Sequence, residues 1–196
     1  MVPELLIAAL ICGWALKGRY QRLLDAKINY VWMIFIPLGL MVATRVLNYT
    51  HVIPFSSPFH GIIRVIELLV ICVFAGANIR IPGAKLLLVG LIANTIVVAA
   101  NGGAMPVSYD CILAAWGKRQ VAEYMAMYPF VKQMLIHPGT RLVWLCDIIS
   151  VRRPFVLFPG VYSVGDLISS LGGMIAIISL MRTPLPSERK TALEEQ

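Results

Sequence analysis

The stretch LLLVGLIANTIVVAANGGAMPVS, Leu86–Ser108, joins an apolar run to residues that shape the backbone. The apolar part, Leu86–Ala100, predicts a helix. Asn101 and the two glycines that follow it are typical of a helix C-terminus, where glycine supplies a positive φ. Pro106 cannot continue a helix and fits a turn. We therefore expect NGGAMPVS to be a rigid turn where an apolar helix meets a membrane surface.

The composition of the whole chain is that of an integral membrane protein. Of its 196 residues, 59% are hydrophobic and 14% are charged, and the mean hydropathy is +0.79. Soluble domains average about 45–50% apolar and about 25% charged residues. The net charge of +7 comes from short segments beside apolar runs and not from an isolated polybasic block, which argues against a nucleic-acid partner.

The apolar segments predict an all-α membrane protein with about five transmembrane helices. These segments cover residues 2–16, 30–48, 61–78, 84–100 and 164–181. We interpret residues 1–196 as a single integral membrane domain. Residues 101–163 are expected to form an outer segment with interfacial amphipathic helices, and residues 183–196 a polar cytoplasmic tail.

Charged loops predict the orientation in the membrane. Lys and Arg concentrate in the first connection, the third connection and the tail, but none lies between Leu47 and Gly61. By the positive-inside rule, the N-terminus lies outside and the C-terminus is cytoplasmic. The outer segment 101–163 then lies on the extracytoplasmic side.

Two outer carboxylates are the candidate catalytic residues. Asp147 sits among apolar residues in RLVWLCDIIS, and Asp166 opens the last apolar segment in VYSVGDLISSLGG. Ionisable groups near membrane depth are costly and indicate function. If the two are close, one holds a proton while the other activates water.

Structural interpretations remain open for the same residues. Ser163-x-x-Asp166 fits a helix-capping box, and Asp147 has Arg141, Arg152 and Arg153 nearby in sequence as salt-bridge partners. Asn94 and Asn101, seven residues apart, lie on one helical face and are candidates for hydrogen bonds to a neighbouring helix.

The second half of the chain resembles a family of small, uncharacterised bacterial multi-pass membrane proteins. NGGAMPVS, LCDIIS and FPGVYSVGDLISSLG carry this resemblance, together with ANIRIPG before Leu86, and it covers roughly Asn78 to Met181. The resemblance implies the bacterial cytoplasmic (inner) membrane and no established activity.

A more remote resemblance is to bacterial lipoprotein signal peptidase, an aspartyl enzyme. Asn101, Gly103 and Ala104 are similar to its Asn-x-Gly-Ala element, and Asp147 and Asp166 fall where its two catalytic aspartates would. The resemblance implies that Asp147 and Asp166 are catalytic. Leu145, Cys146 and Ile148 depart from the polar context of the first aspartate in that family.

These observations lead to two function hypotheses. The first is an aspartate-dyad hydrolase, or a degenerate relative, that acts on a lipid-linked or other membrane-bound substrate, with Asn94, Asn101, Gly102 and Gly103 binding the substrate. The alternative is a non-catalytic subunit of a membrane complex that packs through Ser169, Gly172 and Gly173.

Two carboxylates can hydrolyse an amide bond without a metal, so neither hypothesis needs a metal or another cofactor. The four cysteines form no C-x-x-C motif, which leaves a metal site or covalent haem without support in the sequence. The sequence leaves open whether Cys111 and Cys146 pair. Arg64 and Glu67, one helical turn apart, are expected to form an intrahelical ion pair.

Overall fold

Seven α-helices and four short strands make up the part of the chain that the structure, a computed structural model, describes: residues 3–50, 58–127, 133–152 and 159–184. The helices are α1 (Pro3–Ala15), α2 (Tyr20–Leu24), α3 (Phe35–Tyr49), α4 (Pro58–Ala77), α5 (Ala84–Ala100), α6 (Tyr109–Met127) and α7 (Val164–Arg182). The strands are β1 (Met105–Val107), β2 (Gln133–Leu135), β3 (Ile149–Val151) and β4 (Gly160–Tyr162). Most of the tail, residues 185–196, lies outside the described residues.

Two helices, α4 and α7, have the length and composition to cross a membrane, with mean hydropathies of 2.0 and 1.8. They point to membrane association. The prediction of five spans is not supported, because within the described ranges α1, the stretch Val31–Leu47 and α5 are apolar but only 10–17 residues long. A perpendicular crossing takes about 20 residues.

Small residues bring α5 and α7 into close backbone contact. A Cβ added to Gly90 would overlap the backbone of Gly165 and Ser169, and one added to Gly172 would overlap the backbone of Leu87. Helices approach this closely only where side chains are small, and the close approach increases van der Waals contact. The antiparallel pair α5–α7 therefore forms the tightly packed centre of the bundle.

The outer segment contains strands, so the all-α prediction is wrong there. Gly102 and Gly103 adopt positive φ values of 71° and 90°, which end α5 and release an extended chain. Strand β1 then pairs in parallel with β2, and β3 pairs in antiparallel fashion with β4. A parallel bridge between Val107 and Asp147 links β1 to the segment leading into β3. Each strand is only three residues long, which is too short for an alternation that a sequence pattern could reveal.

Helix α6 confirms part of the expected outer helical structure and covers these strands. Ile112, Ala115 and Val121 on α6 pack with Val107 and Val161 in one buried cluster. The helix is kinked at Gly117, whose φ of 81° and ψ of 171° are not helical. Next to the kink, Trp116 Nε1 donates a hydrogen bond of 2.8 Å to the Pro159 carbonyl. The apolar face of α6 therefore packs on the strands.

Hydrogen bonds tie the connections at the other end of the bundle together. Asn29 N–H donates to Asn78 Oδ1 at 2.8 Å, and Asn78 Nδ2 donates to the Asn29 carbonyl at 3.0 Å. The Arg19 N–H donates to the Met181 carbonyl at 2.9 Å, which holds the end of α1 against the end of α7. These contacts hold the bundle at the end opposite the strands.

We predict that Gly90→Ala destabilises the protein by about 1–3 kcal/mol, because the new methyl group overpacks the α5–α7 contact. The matched control is Gly39→Ala on α3, where an added Cβ meets nothing within 4 Å. Removing a helical glycine there is expected to be neutral or stabilising by up to about 1 kcal/mol. Thermal unfolding in detergent micelles, followed by circular dichroism, measures both. Equal melting temperatures for the two variants would contradict the close packing.

Candidate functional site

Asp166 is held by a hydrogen-bonded network at the start of α7. Its N–H donates to Ser163 Oγ at 2.9 Å, and the Ser163 N–H donates to Asp166 Oδ2 at 3.2 Å. This reciprocal pair is the capping box expected from the sequence. The Ser163 hydroxyl lies 2.9 Å from Asn94 Oδ1 and 3.1 Å from Asp166 Oδ2, so its single proton has two acceptors.

Asn94 brings α5 into the same network. Its Nδ2 donates to Asp166 Oδ1 at 3.1 Å. A side chain at Gly165 would overlap the Asn94 amide, so this glycine makes room for the contact. The structure therefore joins two of the predicted site residues, Asn94 and Asp166, across the α5–α7 interface. Asp166 does more than cap α7, since its carboxylate also accepts a hydrogen bond from Asn94 of α5.

Asp147 is buried beside the strands, with 4% of its surface exposed. Its N–H donates to the Pro106 carbonyl at 2.9 Å, and its own carbonyl accepts from the Ser108 N–H at 3.0 Å. Its side-chain Oδ2 accepts a hydrogen bond of 2.7 Å from Gln133 Nε2. Oδ1 is buried and has no hydrogen-bond partner among the residues that the structure describes. The backbone of Asp147 is thus fixed on both sides, while one carboxyl oxygen is left unpaired.

Burial and a neighbouring charge raise the pKa of Asp147 from 3.8 to about 7. Burial disfavours the ionised form most, and the negative charge of Asp166 adds to the effect, whereas the Gln133 hydrogen bond opposes it. The pairing of β3 with β4 brings the segments that carry the two acids together. Ile149, two residues after Asp147, pairs with Tyr162, four residues before Asp166.

The NGG element, Asn101–Gly103, connects the end of α5 to the backbone of Arg141 and to α4. Asn101 is the C-cap of α5, as one interpretation of the sequence predicted, and its Nδ2 donates to the Val97 carbonyl at 2.9 Å. It also pairs with the backbone of Arg141 in both directions, at 3.0 and 2.9 Å. Gly102 and Gly103 pack against Gly61 of α4. These contacts give Asn101, Gly102 and Gly103 a structural role, and their substrate-binding role stays a prediction.

Arginine does not neutralise the buried acid in the described part of the chain. Neither Arg141 nor Arg152 forms an ion pair with Asp147. Arg153, the third candidate partner, lies outside the described residues. The expected ion pair between Arg64 and Glu67 is confirmed, with Nη1 and Oε2 separated by 3.1 Å and Glu67 buried within α4.

The cysteines are free thiols, and Cys111 and Cys146 do not pair. Burial, followed by the charge of Asp147, raises the pKa of Cys146 to about 11, so this thiol stays protonated at neutral pH. Cys111 Sγ donates to the Ile148 carbonyl at 3.1 Å. No group of three or more His, Cys, Asp or Glu side chains suited to a metal ion occurs in the described ranges.

Sequence reasoning missed Gln133 and the contact between Ser163 and Asn94. Gln133 meets Asp147 only because β2 pairs with β1, twenty-six or more residues away in the chain. No local sequence pattern predicts that pairing. Ser163 was recognised as a cap, and its contact with α5 follows only from the packing of α5 on α7.

The fold and the site define a mostly helical protein with two candidate spans and two carboxyl groups in contrasting surroundings. The chain belongs to a family of unknown function, DUF5317, which matches residues 25–178. No curated protein and no solved structure matches it. The family assignment agrees with the resemblance to an uncharacterised family and adds no activity.

We predict that the protein loses stability as the pH rises from about 4 through 7, because of Asp147. Between the ordinary pKa of 3.8 and the raised value of about 7, the native state keeps a proton that the unfolded state has released. Native stability from this group is complete below pH 4 and is lost above pH 7, with a slope of up to roughly 1.4 kcal/mol per pH unit. Asp147→Asn should remove this slope.

Chemical unfolding in mild-detergent micelles at pH 5, 6, 7 and 8 measures the effect. Asp110→Asn is the matched control, since Asp110 is an exposed carboxylate at the start of α6. If wild type and Asp147→Asn show parallel pH dependence, Asp147 does not retain its proton in the native state.

Proposed function

We propose that this protein is an aspartate-dyad hydrolase that cleaves an amide bond in a membrane-bound substrate. The observation that carries the proposal is the contrast between its two acids. Asp147 is buried with its pKa raised to about 7, while the carboxylate of Asp166 accepts hydrogen bonds from Asn94 and Ser163. Pairs of acids in such different surroundings are typical of general acid–base catalysis.

The surroundings assign a role to each acid. Asp147 holds a proton near neutral pH and acts as the general acid. Hydrogen bonds that favour an ionised carboxylate surround Asp166, which acts as the general base. Asn94 positions Asp166 from the neighbouring helix, and Ser163 positions it from the helix cap. In this proposal Asn94 acts on the base and not on the substrate.

The reaction balances without any further group. Asp166 takes a proton from water as the water oxygen attacks the carbonyl carbon, and Asp147 gives its proton to the carbonyl oxygen, which yields a tetrahedral diol. The proton on Asp166 then moves to the leaving nitrogen as the C–N bond breaks. One diol hydroxyl returns a proton to Asp147, leaving a carboxylic acid and an amine.

Apolar side chains on the helix surfaces support a membrane location for this chemistry. Val89, Ile92 and Ile96 share the outward face of α5 and are 56%, 43% and 49% exposed. Lipid contact on this face would bury it, although α5 is shorter than a perpendicular span. We propose a multi-pass protein of the bacterial inner membrane, with an extracytoplasmic N-terminus and a cytoplasmic C-terminus.

The surface near Asp147 favours a substrate that is itself bound to the membrane. Val143 and Trp144 precede Asp147 by a few residues and are 41% and 65% exposed. Tryptophan is enriched at the membrane–water interface. A lipid-anchored substrate would reach the two acids along this interface, and no nucleic-acid or cofactor chemistry is involved.

The remote resemblance to lipoprotein signal peptidase supports the proposal through Asp147 and Asp166 alone. The apolar neighbours Leu145, Cys146 and Ile148 depart from the pattern of that family. Leu145 and Ile148 pack against the core cluster that contains Cys146, and Asp147, which lies between them in the chain, is buried. The apolar residues that depart from the family pattern therefore flank the acid whose pKa is raised by burial.

The competing proposal, a non-catalytic subunit, relies on a small-residue face that the structure uses within the chain. Ser169 is fully buried against Gly90, and Gly172 lies on Leu87 of α5. These residues are therefore occupied by α5 in the described structure. A subunit role would be the outcome if the protein proves unable to hydrolyse membrane-bound peptides.

We predict that Asp147→Asn and Asp166→Asn each lower hydrolysis by at least about 100-fold, because each removes one half of the acid–base pair. The assay uses the full-length protein in lipid vesicles with internally quenched peptides, palmitoylated or unmodified. Asp110→Asn should retain wild-type activity. Absence of cleavage across a broad palmitoylated peptide library, or equal loss in the control, would overturn the proposal.

We further predict that kcat/KM falls about tenfold per pH unit above pH 7, as Asp147 loses its proton. The measurement is initial rate from pH 5 to 9 on the same palmitoylated peptide, with Asp110→Asn as control. A rate that keeps rising above pH 8 would assign the proton donor to another group.

A further inference from the structure

We propose that Gln133 is a positioning residue that keeps the transferable proton of Asp147 on Oδ1. This inference rests on the proposed function, since it concerns the acid of that reaction. It assigns a role to a residue on a strand that sequence analysis did not recognise.

The position of Gln133 follows from the strand register. Gln133 pairs with Met105, and Asp147 bridges to Val107 on the other side of β1. Residues paired between strands project to the same face, and residues two apart on a strand share a face. Gln133 and Asp147 therefore project from the same face of the small sheet, and the longer Gln133 side chain crosses β1 to reach the carboxyl group.

The contact distinguishes the two oxygens of Asp147. Gln133 Nε2 can only donate, and it lies 2.7 Å from Oδ2. An oxygen that already accepts a short hydrogen bond is the poorer place for the acid proton. Oδ1 has no partner among the described residues and is buried, so the proton resides there. A substrate carbonyl that reaches Oδ1 finds a donor whose hydrogen is not committed to the protein.

The same hydrogen bond limits how strongly burial holds the proton. It favours the ionised carboxylate and so opposes burial and the charge of Asp166. Without Gln133 the acid would still be protonated but would release its proton less readily. The hydrogen bond from Gln133 therefore determines which oxygen of Asp147 carries the proton and also how readily Asp147 releases it.

The experiment is an infrared pH titration of the carboxyl C=O band of Asp147 in the full-length protein, in lipid vesicles. Subtraction of the Asp147→Asn spectrum identifies the band. For Gln133→Leu, we expect the titration midpoint to move upward by about one pH unit and the band to shift to higher frequency, because a donor is lost. Gln133→Asn, which keeps the amide but shortens the side chain, should shift the midpoint in the same direction and covers the case in which Gln133→Leu fails to fold.

Met134→Leu is the matched control, since Met134 is the next residue on β2 and pairs with Pro106. Its titration should equal that of wild type. A downward shift in the Gln133 variants would mean that the Gln133 amide oxygen accepts the Asp147 proton, and it would overturn the inference. An unchanged midpoint and band in a folded variant would overturn it equally.

The titration needs no turnover, so it separates this inference from the hydrolase proposal. A shifted band in a protein that cleaves no palmitoylated peptide would keep the role of Gln133 and reject the reaction. Where cleavage occurs, Gln133→Leu should also move the high-pH limb of kcat/KM upward together with the band. Full activity with an unshifted limb would reject the positioning role and leave the hydrolase proposal in place.

Discussion

The close approach of α5 and α7 is the constraint on which the rest of the structure depends. Gly90 and Gly172 allow the two backbones to touch, and Gly165 leaves room for the Asn94 amide. The hydrogen bond from Asn94 to Asp166 exists only because of this spacing. Ser163 completes the contact by joining the cap of α7 to the middle of α5. The position of the Asp166 carboxylate thus depends on the packing of small residues between α5 and α7.

The outer strands and the segment before β3 hold the carboxyl group of Asp147 in an apolar setting. Asp147 follows Cys146 of the core cluster, and its backbone N–H and carbonyl form hydrogen bonds with Pro106 and Ser108. A buried acid tends to retain its proton, and among the described residues no arginine forms an ion pair with Asp147. The cost of burial is limited because a neutral carboxylic acid is far less expensive to bury than an ion.

Local chemistry explains which parts of this structure were predictable. The capping box at Ser163 and Asp166, the ion pair of Arg64 with Glu67 and the turn after Asn101 all depend on residues within one or two turns of each other. The strands are only three residues long, and β1 pairs with the distant β2, so no periodicity indicated them. The apolar segments predicted the positions of the long helices well, as with α5 at Ala84–Ala100, but α5 and the other short apolar helices lack the length of a perpendicular span, so the predicted number of spans is not supported.

Residues of the site come from widely separated parts of the chain: Asn94 from α5, Gln133 from β2, Asp147 from the segment before β3, and Asp166 from the last described helix. During synthesis the segment that carries Asn94 and the segment that carries Asp147 both leave the ribosome before Asp166 does. Until α7 packs on α5, the charge of Asp166 cannot act on Asp147 and Asn94 has no partner from α7. The contrast between the two acids is therefore established only late in folding, when the last described helix takes its place.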